Sequence, residues 1–244
     1  MRSIGGRSPV CKQRRYYTAL PIPVNKWHNR YMNQSITPFI IGVAGGTGSG
    51  KTYVAKRLQT ADPKHVIIIS HDHYYKDQSH IPLAERKNVN YDEPAALDNE
   101  LFLAHLAQLK SGQAVDIPQY DFSDHTRKSD TAHIAPSPVI IVEGILILTD
   151  ARVRAMLDLT LFVEVDADIR LARRLERDVG ERDRTFQESI NQYLVSAQPM
   201  YDKYVEPGKD EADLVINNNG TVAELEDAIE TVQARIKEVL GRCQ

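Results

Sequence analysis

The chain has 244 residues, 42% of them hydrophobic, and its 30 lysines and arginines against 33 aspartates and glutamates give a formal net charge of −3. No apolar run reaches the ~18–20 residues that a membrane span needs, and two cysteines near opposite ends exclude a disulfide scaffold and a structural zinc site. Every acidic residue lies after residue 61, so the chain beyond its N-terminal part is too acidic for general nucleic-acid binding. We therefore expect one cytoplasmic domain with no membrane or nucleic-acid partner.

Residues 1–37 differ in character from the rest. They hold seven basic and no acidic side chains, carry turn residues and show no hydrophobic period. We predict that they form a basic arm that is disordered or precedes a true start at Met32, and that residues 38–244 form the folded domain. An organelle transit peptide is the alternative, because such peptides are also basic and poor in acids.

From residue 38 onward, short apolar runs alternate with segments of helical period. The runs predict strands at 39–44, 66–70, 139–142, 159–165 and 214–217. The segments predict helices at 51–58, 99–109, 167–177, 186–196 and 222–240, the last opening with a capping box at Thr221 and Glu224. This alternation predicts an α/β fold with a parallel sheet covered by helices on both faces. Residues 114–119 and 131–134 predict a β-hairpin arm beside the sheet.

A glycine-rich loop lies between the first predicted strand and the first predicted helix. It matches the pattern GxxxxGK[ST] with Gly45, Gly46, Thr47, Gly48, Ser49, Gly50, Lys51 and Thr52. Glycines let backbone N–H groups form a concave nest for phosphate oxygens, and the following helix adds its positive end. Lys51 can reach the β- and γ-phosphates, and the Thr52 hydroxyl can ligate Mg²⁺. The loop predicts a P-loop NTPase-type fold that binds a nucleotide.

The rest of the chain narrows the reaction that this P-loop serves. A GTPase would also need DxxG and NKxD segments, and the chain has neither. A motor ATPase would usually end its second acidic strand in Asp-Glu, whereas this strand ends in Val142-Glu143-Gly144. A kinase of a small molecule remains.

Two carboxylates follow predicted strands. Asp72 comes after the strand at 66–70, and Glu143 ends the strand at 139–142. Ligands of open α/β sheets bind at the carboxyl ends of strands, so both side chains should reach the mouth that holds the P-loop. A carboxylate there can accept the proton of an attacking hydroxyl or hold Mg²⁺. His71 and His73 would share a face of an extended segment, but we interpret them as loop histidines rather than metal ligands.

Six arginines lie between residues 167 and 184. Arg170, Arg173, Arg174 and Arg177 have the spacing i, i+3, i+4, i+7 and should share one helix face. One interpretation is a solvated charged face, offset by nearby acids that include Asp178. The other is an arginine-bearing lid that closes on phosphates, with Arg182 and Arg184 beyond Gly180 as its tip.

Together these segments resemble the uridine kinase (uridine–cytidine kinase) family from about residue 39 to the C-terminus. The resemblance rests on GGTGSGKT at 45–52, DHYYKDQSH at 72–80, NYDEPAALD at 90–98, IPQYDFSDHTR at 117–127, IIVEGILIL at 140–148, DADIRLARR at 166–174 and INQY at 190–193. The P-loop is shared with many families. The Tyr-Asp-x-Pro segment, the Tyr-Asp-Phe…His-Thr-Arg segment and the arginine run, in this order, are specific to this one.

The resemblance implies transfer of the γ-phosphoryl group of ATP or GTP to the 5′-hydroxyl of uridine or cytidine. It implies that Asp72 is the catalytic base, helped by Lys51 and Arg177, and that Mg²⁺ lies among Thr52, Asp72 and Glu143. The implied nucleoside contacts are Tyr75, Tyr91, Asp92, Tyr120, His125, Arg174 and Gln192, with Asp92 and Arg174 on the ribose hydroxyls. Arg177, Arg182 and Arg184 would serve the phosphates. The family is typically homotetrameric.

Two departures and two alternative functions accompany this resemblance. Glu93 and Ala95 stand where the family commonly has histidine and aspartate. Asp183 stands where the family commonly has glycine, which predicts a stiffer turn and a negative charge near the phosphates. A related kinase of another alcohol, such as ribulose 5-phosphate or pantothenate, stays open, although residues 91–120 supply few bases for a phosphorylated substrate. A non-catalytic nucleotide-binding regulator also stays open, although Lys51, Asp72 and Glu143 are all intact.

Overall fold

The computed structural model describes residues 37–86, 89–182 and 184–241. The predicted arm, apart from residue 37, therefore lies outside the described residues, and so does Asp183. The strands of the described part are β1 Phe39–Gly45, β2 Val66–Ser70, β3 Val115–Asp121, β4 Thr126–Ile134, β5 Val139–Glu143, β6 Leu159–Glu164 and β7 Leu214–Asn217.

Five strands form a parallel sheet in the order β2-β5-β1-β6-β7. They are the five predicted strands, with ends that differ by one residue at most. The residue pairs Val43–Glu143 and Ser70–Glu143 show that β1, β5 and β2 end at the same edge of the sheet. That edge therefore carries the P-loop after β1, Glu143 at the end of β5 and Asp72 after β2.

The α-helices of the described part are α1 Lys51–Gln59, α2 Leu83–Arg86, α3 Asn99–Lys110, α4 Ala151–Met156, α5 Ala167–Glu181, α6 Phe186–Gln192, α7 Gln198–Met200 and α8 Val222–Gly241. The capping box predicted before α8 is confirmed, because the Thr221 hydroxyl accepts from the Glu224 N–H while the Glu224 carboxylate accepts from the Thr221 N–H. No described helix is both long and apolar enough to cross a membrane.

Alternate residues of the sheet supply two separate hydrophobic cores. On one face Ile40 belongs to a core with Phe102 of α3, and on the other Ile41 belongs to a core with Leu58 of α1 and Ile229 of α8. All five side chains have no measurable exposure. Burying each one stabilises the fold by roughly 1.5–3 kcal/mol, so helices on both faces are needed to cover the sheet.

The hairpin arm is longer than the sequence predicts. β3 and β4 pair in antiparallel fashion from the 115–134 pair to the 121–126 pair. The sequence predicts strands only at 114–119 and 131–134, whereas residues 120–121 belong to β3 and residues 126–130 to β4. Residues 128–131 of β4 are exposed and polar, so this part of the strand is held by its backbone hydrogen bonds and shows no apolar alternation.

The chain after α5 also departs from the prediction. α5 extends to Glu181 rather than ending near 177. The helix predicted at 186–196 is wrong in form, because α6 ends at Gln192 and a π-helical segment, Tyr193–Ala197, follows it. A second π-helical segment, Tyr201–Val205, lies beyond α7. Single π-helical turns are often found at functional sites.

Candidate active site

The glycine-rich part of the P-loop, residues 45–50, forms a cradle between β1 and α1. Gly48 and Gly50 have φ angles of 76° and 88°, in the left-handed region that favours glycine. A Cβ atom at Gly48 would lie 2.3 Å from the Arg170 carbonyl oxygen, so a side chain there would displace the loop. Among the described residues, no side chain caps the start of α1, and its first turn holds no acid. The N–H groups at this helix start are therefore oriented for an anion.

Glu143 is the buried carboxylate at the foot of this cradle. It is 5% exposed, and its two oxygens accept hydrogen bonds from Thr52 Oγ1 at 3.2 Å and Ser70 Oγ at 2.9 Å. Lys51 Nζ lies 3.9 Å from the oxygen that Thr52 contacts. A buried acid needs such partners, and here they tie the P-loop to β2 and β5.

Asp72 lies in a 3₁₀ turn, His71–Tyr74, rather than in an extended segment. The turn buries His71, whose Nε2 lies 2.9 Å from Asn99 Oδ1 and whose ring centroid is 4.4 Å from that of Phe102. Burial lowers the pKa of His71 to about 4, so it is neutral at physiological pH. The predicted shared face of His71 and His73 is therefore wrong, and among the described residues no three His, Cys, Asp or Glu side chains converge on a metal position.

One cleft collects most of the predicted site residues. Its lining consists of Thr47, Lys51, Asp72, Tyr75, Tyr91, Asp92, Tyr120, Phe122, His125, Ile145, Arg174, Arg177, Arg182, Arg184 and Gln192. The predicted site residues that do not line it are Gly45, Gly46, Gly48, Ser49, Gly50, Thr52 and Glu143. Lys51 connects Thr52 and Glu143 to it. The P-loop, the hairpin arm and the arginine-rich segment thus meet around a single space, as ligand sites at this edge of an α/β sheet do.

Aromatic rings form one wall of the cleft. The ring centroid of Tyr75 lies 5.3 Å from that of Tyr120 and 5.7 Å from that of Tyr91, and Tyr91 stacks on His125 at 4.8 Å and 18°. Burial raises the pKa of Tyr75 and of Tyr120, which keeps both phenols neutral. A wall of rings with a few polar atoms suits a flat heteroaromatic ligand.

The hairpin arm is fixed in place by its turn and by one arginine. His125, in the turn between β3 and β4, has a φ of 50°, a left-handed conformation that is uncommon for a residue with a side chain. Arg127 donates from Nε to the Tyr75 carbonyl oxygen at 2.8 Å and from Nη2 to Asp98 at 3.2 Å. The arm therefore holds His125 and Tyr120 against the body of the domain.

Asp92 faces the cleft beside a polar group of the π-helical segment. Ser196 Oγ lies 2.8 Å from Asp92 Oδ2 and 2.9 Å from Asn90 Oδ1. The Asp92 carboxylate keeps its other oxygen as an acceptor. On the neighbouring helices, Arg174 Nη2 donates to Gln192 Oε1 at 2.8 Å, and Arg184 contacts the same oxygen.

The predicted arginine face divides into three parts. Arg174 is 5% exposed and Arg177 reaches Thr47 of the P-loop, with Nη2 3.4 Å from Oγ1. Arg170 does not line the cleft but lies behind the P-loop, with its guanidinium 3.7 Å from the ring centroid of Tyr201. Arg173 is exposed, so the prediction of one common face is wrong for it.

Several residues that shape the cleft could not be recognised from the sequence. Asn218 donates to the Ser49 carbonyl oxygen at 2.8 Å and so holds the P-loop from the loop before α8. Ser70 and Ser196 contact the carboxylates of Glu143 and Asp92. These polar residues stand in no motif that carries their role. Phe122, by contrast, lies inside a segment on which the resemblance rests.

Comparison with known proteins identifies the family. The model of the phosphoribulokinase / uridine kinase family matches residues 40–224. The chain belongs to the phosphoribulokinase / uridine kinase family. Within this family the chain is 46% identical over 206 residues to the uridine kinase of Clostridium perfringens strain 13. The matched region covers 84% of this chain and 98% of that protein. It is 46% identical over 204 residues to the uridine kinase of Geobacillus kaustophilus, with 83% and 95% covered.

Solved structures of other kinases share the fold. The D-glycerate 3-kinase of Cryptococcus neoformans gives a TM-score of 0.57 at 19% identity and covers 76% of this chain and 88% of its own. The phosphoribulokinase of Rhodobacter spheroides gives a TM-score of 0.56 at 13% identity, with 75% and 71% covered. At these identities the likeness extends to the α/β fold of the phosphoribulokinase / uridine kinase family and no further.

Proposed function

We propose that this protein is a uridine/cytidine kinase that transfers the γ-phosphoryl group of ATP or GTP to the 5′-hydroxyl of uridine or cytidine. The observation that carries the proposal is the single cleft in which the P-loop meets the aromatic wall and Asp92. A phosphate cradle and a pocket for a ring and a sugar in one space suit a nucleoside acceptor and a nucleotide donor. The relatives named uridine kinase support the same acceptor.

In this proposal Asp72 is the catalytic base. Its carboxylate lines the cleft together with Lys51 of the P-loop and Asp92. Asp72 accepts the proton of the 5′-hydroxyl as the bond between that oxygen and the γ-phosphorus forms. The bond from the γ-phosphorus to the β–γ bridging oxygen breaks, and the nucleoside diphosphate leaves.

Cationic side chains hold the phosphates. Lys51 binds the β- and γ-phosphates, and Arg177, Arg182 and Arg184 stabilise the charge that spreads over the transferred group. Arg177 already contacts Thr47 of the P-loop, so it lies beside the phosphate cradle. The P-loop backbone from Gly45 to Gly50 supplies N–H donors around the same phosphates.

The oxygen donors at the foot of the cradle fit Mg²⁺. Thr52 and Glu143 are in contact, and Asp72 follows the neighbouring strand, so a hydroxyl and two carboxylates would hold the ion together with phosphate oxygens and water. Mg²⁺ neutralises charge on the β- and γ-phosphate oxygens when it is bound.

We assign the nucleoside contacts to the residues that line the cleft opposite the phosphate-binding side chains. Asp92 and Arg174 bind the ribose hydroxyls, since a carboxylate accepts from them and a guanidinium donates to their oxygens. The pyrimidine lies against the wall formed by Tyr75, Tyr91, Tyr120 and His125, with Gln192 beside it. Cytoplasmic location and a homotetramer complete the proposal, and both rest on the family resemblance.

A coupled assay of ADP release tests this proposal. Purified protein is given ATP and Mg²⁺ with no acceptor, with uridine, cytidine, ribulose 5-phosphate or pantothenate, and a Lys51→Ala variant is the matched control. We expect release that depends on uridine or cytidine and that the variant lacks. Release only with another alcohol would favour the alternative kinase. Nucleotide binding without release for any acceptor would favour a regulator.

A further inference from the structure

Asp178 is a buried carboxylate that the proposed reaction does not use. It lies in α5, one turn after Arg174, and its side chain has no exposure to solvent. Four guanidinium groups surround it. The distances to its oxygens are 2.9 Å from Arg177 Nη2, 3.2 Å from Arg174 Nε, 3.7 Å from Arg182 Nη1 and 3.9 Å from Arg184 Nη1.

The four arginines need this carboxylate when no phosphate is present. Guanidinium groups that share one small space repel each other, and burial makes the repulsion stronger because water screens it less. Burial lowers the pKa of Arg174 and of Arg182, and the charge of Asp178 opposes that shift in both. A buried cation is tolerated only where an anion is paired with it.

The contacts divide the arginines into an inner and an outer pair. The inner pair, Arg174 and Arg177, lies within 3.2 Å of Asp178, whereas the outer pair, Arg182 and Arg184, lies at 3.7 Å and 3.9 Å. Distance rather than exposure separates the pairs, because Arg177 of the inner pair is 29% exposed and Arg184 of the outer pair is 23% exposed. The backbone N–H of Arg184 donates to the Asp178 carbonyl oxygen at 3.1 Å, so the chain itself folds back over this residue.

We propose that Asp178 is the positioning residue of the arginine cluster: it fixes the inner pair over the cleft and holds the outer pair loosely enough for both to move to phosphate oxygens. Asp178 does not line the cleft itself and acts only through the arginines. The inference rests on the proposed phosphoryl transfer, because the phosphates are the anions to which the outer pair moves.

Asp178→Asn tests this role with almost no change of shape. The asparagine amide keeps one acceptor oxygen. Its NH₂ group takes the place of the other carboxylate oxygen and there faces arginine N–H donors. The matched control is Asp213→Asn. Asp213 accepts from the N–H and the hydroxyl of Thr160, both at 2.8 Å, at the opposite edge of the sheet. Both variants therefore weaken the hydrogen bonds of a structural carboxylate, but only Asp178→Asn changes a contact with the arginines.

Kinetics separates positioning from stability. For Asp178→Asn we expect kcat to fall about 10²-fold, the loss typical of groups displaced by about 1 Å from the reacting atoms. The Kd for a fluorescent N-methylanthraniloyl-ATP should stay within about threefold of the wild-type value, because the P-loop supplies most ground-state binding. Asp213→Asn should lower the Tm but leave both constants close to those of the wild type.

Limited proteolysis gives a readout that needs no activity. Trypsin cuts after arginine, and loss of Asp178 should free the outer pair for cleavage after Arg182 or Arg184. We expect these cuts, identified by mass spectrometry, to be roughly tenfold faster in Asp178→Asn and unchanged in Asp213→Asn. Cuts elsewhere should keep their wild-type rates, since the change is local.

Wild-type kcat in a folded Asp178→Asn variant, or cleavage after the outer arginines at the wild-type rate, would overturn the proposal. If that variant does not fold, Asp178→Glu replaces it. The glutamate keeps the charge but shifts it by one methylene, so kcat should still fall at least about tenfold with a Kd that is almost unchanged, and an unchanged kcat would refute positioning. A wild-type protein without uridine-dependent ADP release, but with the expected cleavage pattern, would refute the proposed function alone.

Discussion

The choice between ribose and deoxyribose is the most direct test of Asp92. In the structure one carboxylate oxygen of Asp92 accepts from Ser196 at 2.8 Å, and the other is the acceptor proposed for the sugar hydroxyls. 2′-Deoxyuridine would leave this charged acceptor short of one partner inside a cleft that the ligand has closed to water. An unpaired buried acceptor costs about 1–3 kcal/mol, and a charged one costs more, so about 2.7 kcal/mol is a conservative figure for Asp92.

The size of the effect follows from this cost. With about 2.7 kcal/mol lost and 1.4 kcal/mol for each factor of ten, kcat/KM for uridine should exceed that for 2′-deoxyuridine by about 10²-fold. Initial rates of ADP release with each nucleoside give the ratio, and chromatography of the nucleoside monophosphate confirms the product. Pockets built to bond a hydroxyl reject the analogue without it far better than apolar pockets reject a methylene.

A variant and a control make the assignment specific. Asp92→Ala removes the acceptor, so the uridine rate should fall toward that of 2′-deoxyuridine and the ratio should drop to about threefold or less. Glu93→Gln neutralises the next residue, which does not line the cleft, and should keep the wild-type ratio. If the wild-type protein phosphorylates 2′-deoxyuridine within threefold of uridine, Asp92 does not bind the 2′-hydroxyl and the reasoning fails.

Three further perturbations test other parts of the molecule. Asp72→Asn should lower kcat by about 10²–10⁴-fold while nucleotide binding persists, and turnover within tenfold of the wild type would exclude Asp72 as the base. A chain that begins at Met32 should match the full chain in Tm and activity, because residues 1–31 show no apolar face to bury, and a Tm lower by several degrees would make the arm structural. Phe102→Ala should reduce the free energy of unfolding by about 3–5 kcal/mol in denaturant titration, because it opens a cavity under the sheet, and a loss below 1 kcal/mol would contradict the described core.

The central strands could be predicted because the sequence records their burial directly. β1 and β5 are covered on both faces, so nearly every residue in them is apolar and the runs are visible without any structure. Residues 126–130 of β4 are polar and α4 has only six residues, so neither carries a hydrophobic pattern long enough to detect. The elements that pair or pack with these segments, rather than the composition of the segments themselves, determine their secondary structure.

The residues of the candidate site also divide into those that the sequence pattern reveals and those that only their partners reveal. Residues that stand in contiguous motifs, such as Lys51 and Asp72, could be predicted to meet because parallel strands end at one edge. Ser196 and Asn218 could not, since their contacts with Asp92 and Ser49 span 104 and 169 positions of sequence. Ser196 also lies in a π-helical segment, where the α-helical period that guides prediction does not hold.

The arginine run shows why a charged helix face has two meanings. At about 100° per residue, Arg170, Arg174 and Arg177 fall within roughly 60° of one another, and Arg173 lies about 40° outside that arc. The spacing alone fits a solvated face and a buried cluster equally well, because it says nothing about which side of α5 is covered. Arg174 is nevertheless buried, and a buried guanidinium cluster requires an anion. Asp178, one turn further on, supplies part of that negative charge, and the phosphates of a nucleotide are the chemistry that would supply the rest.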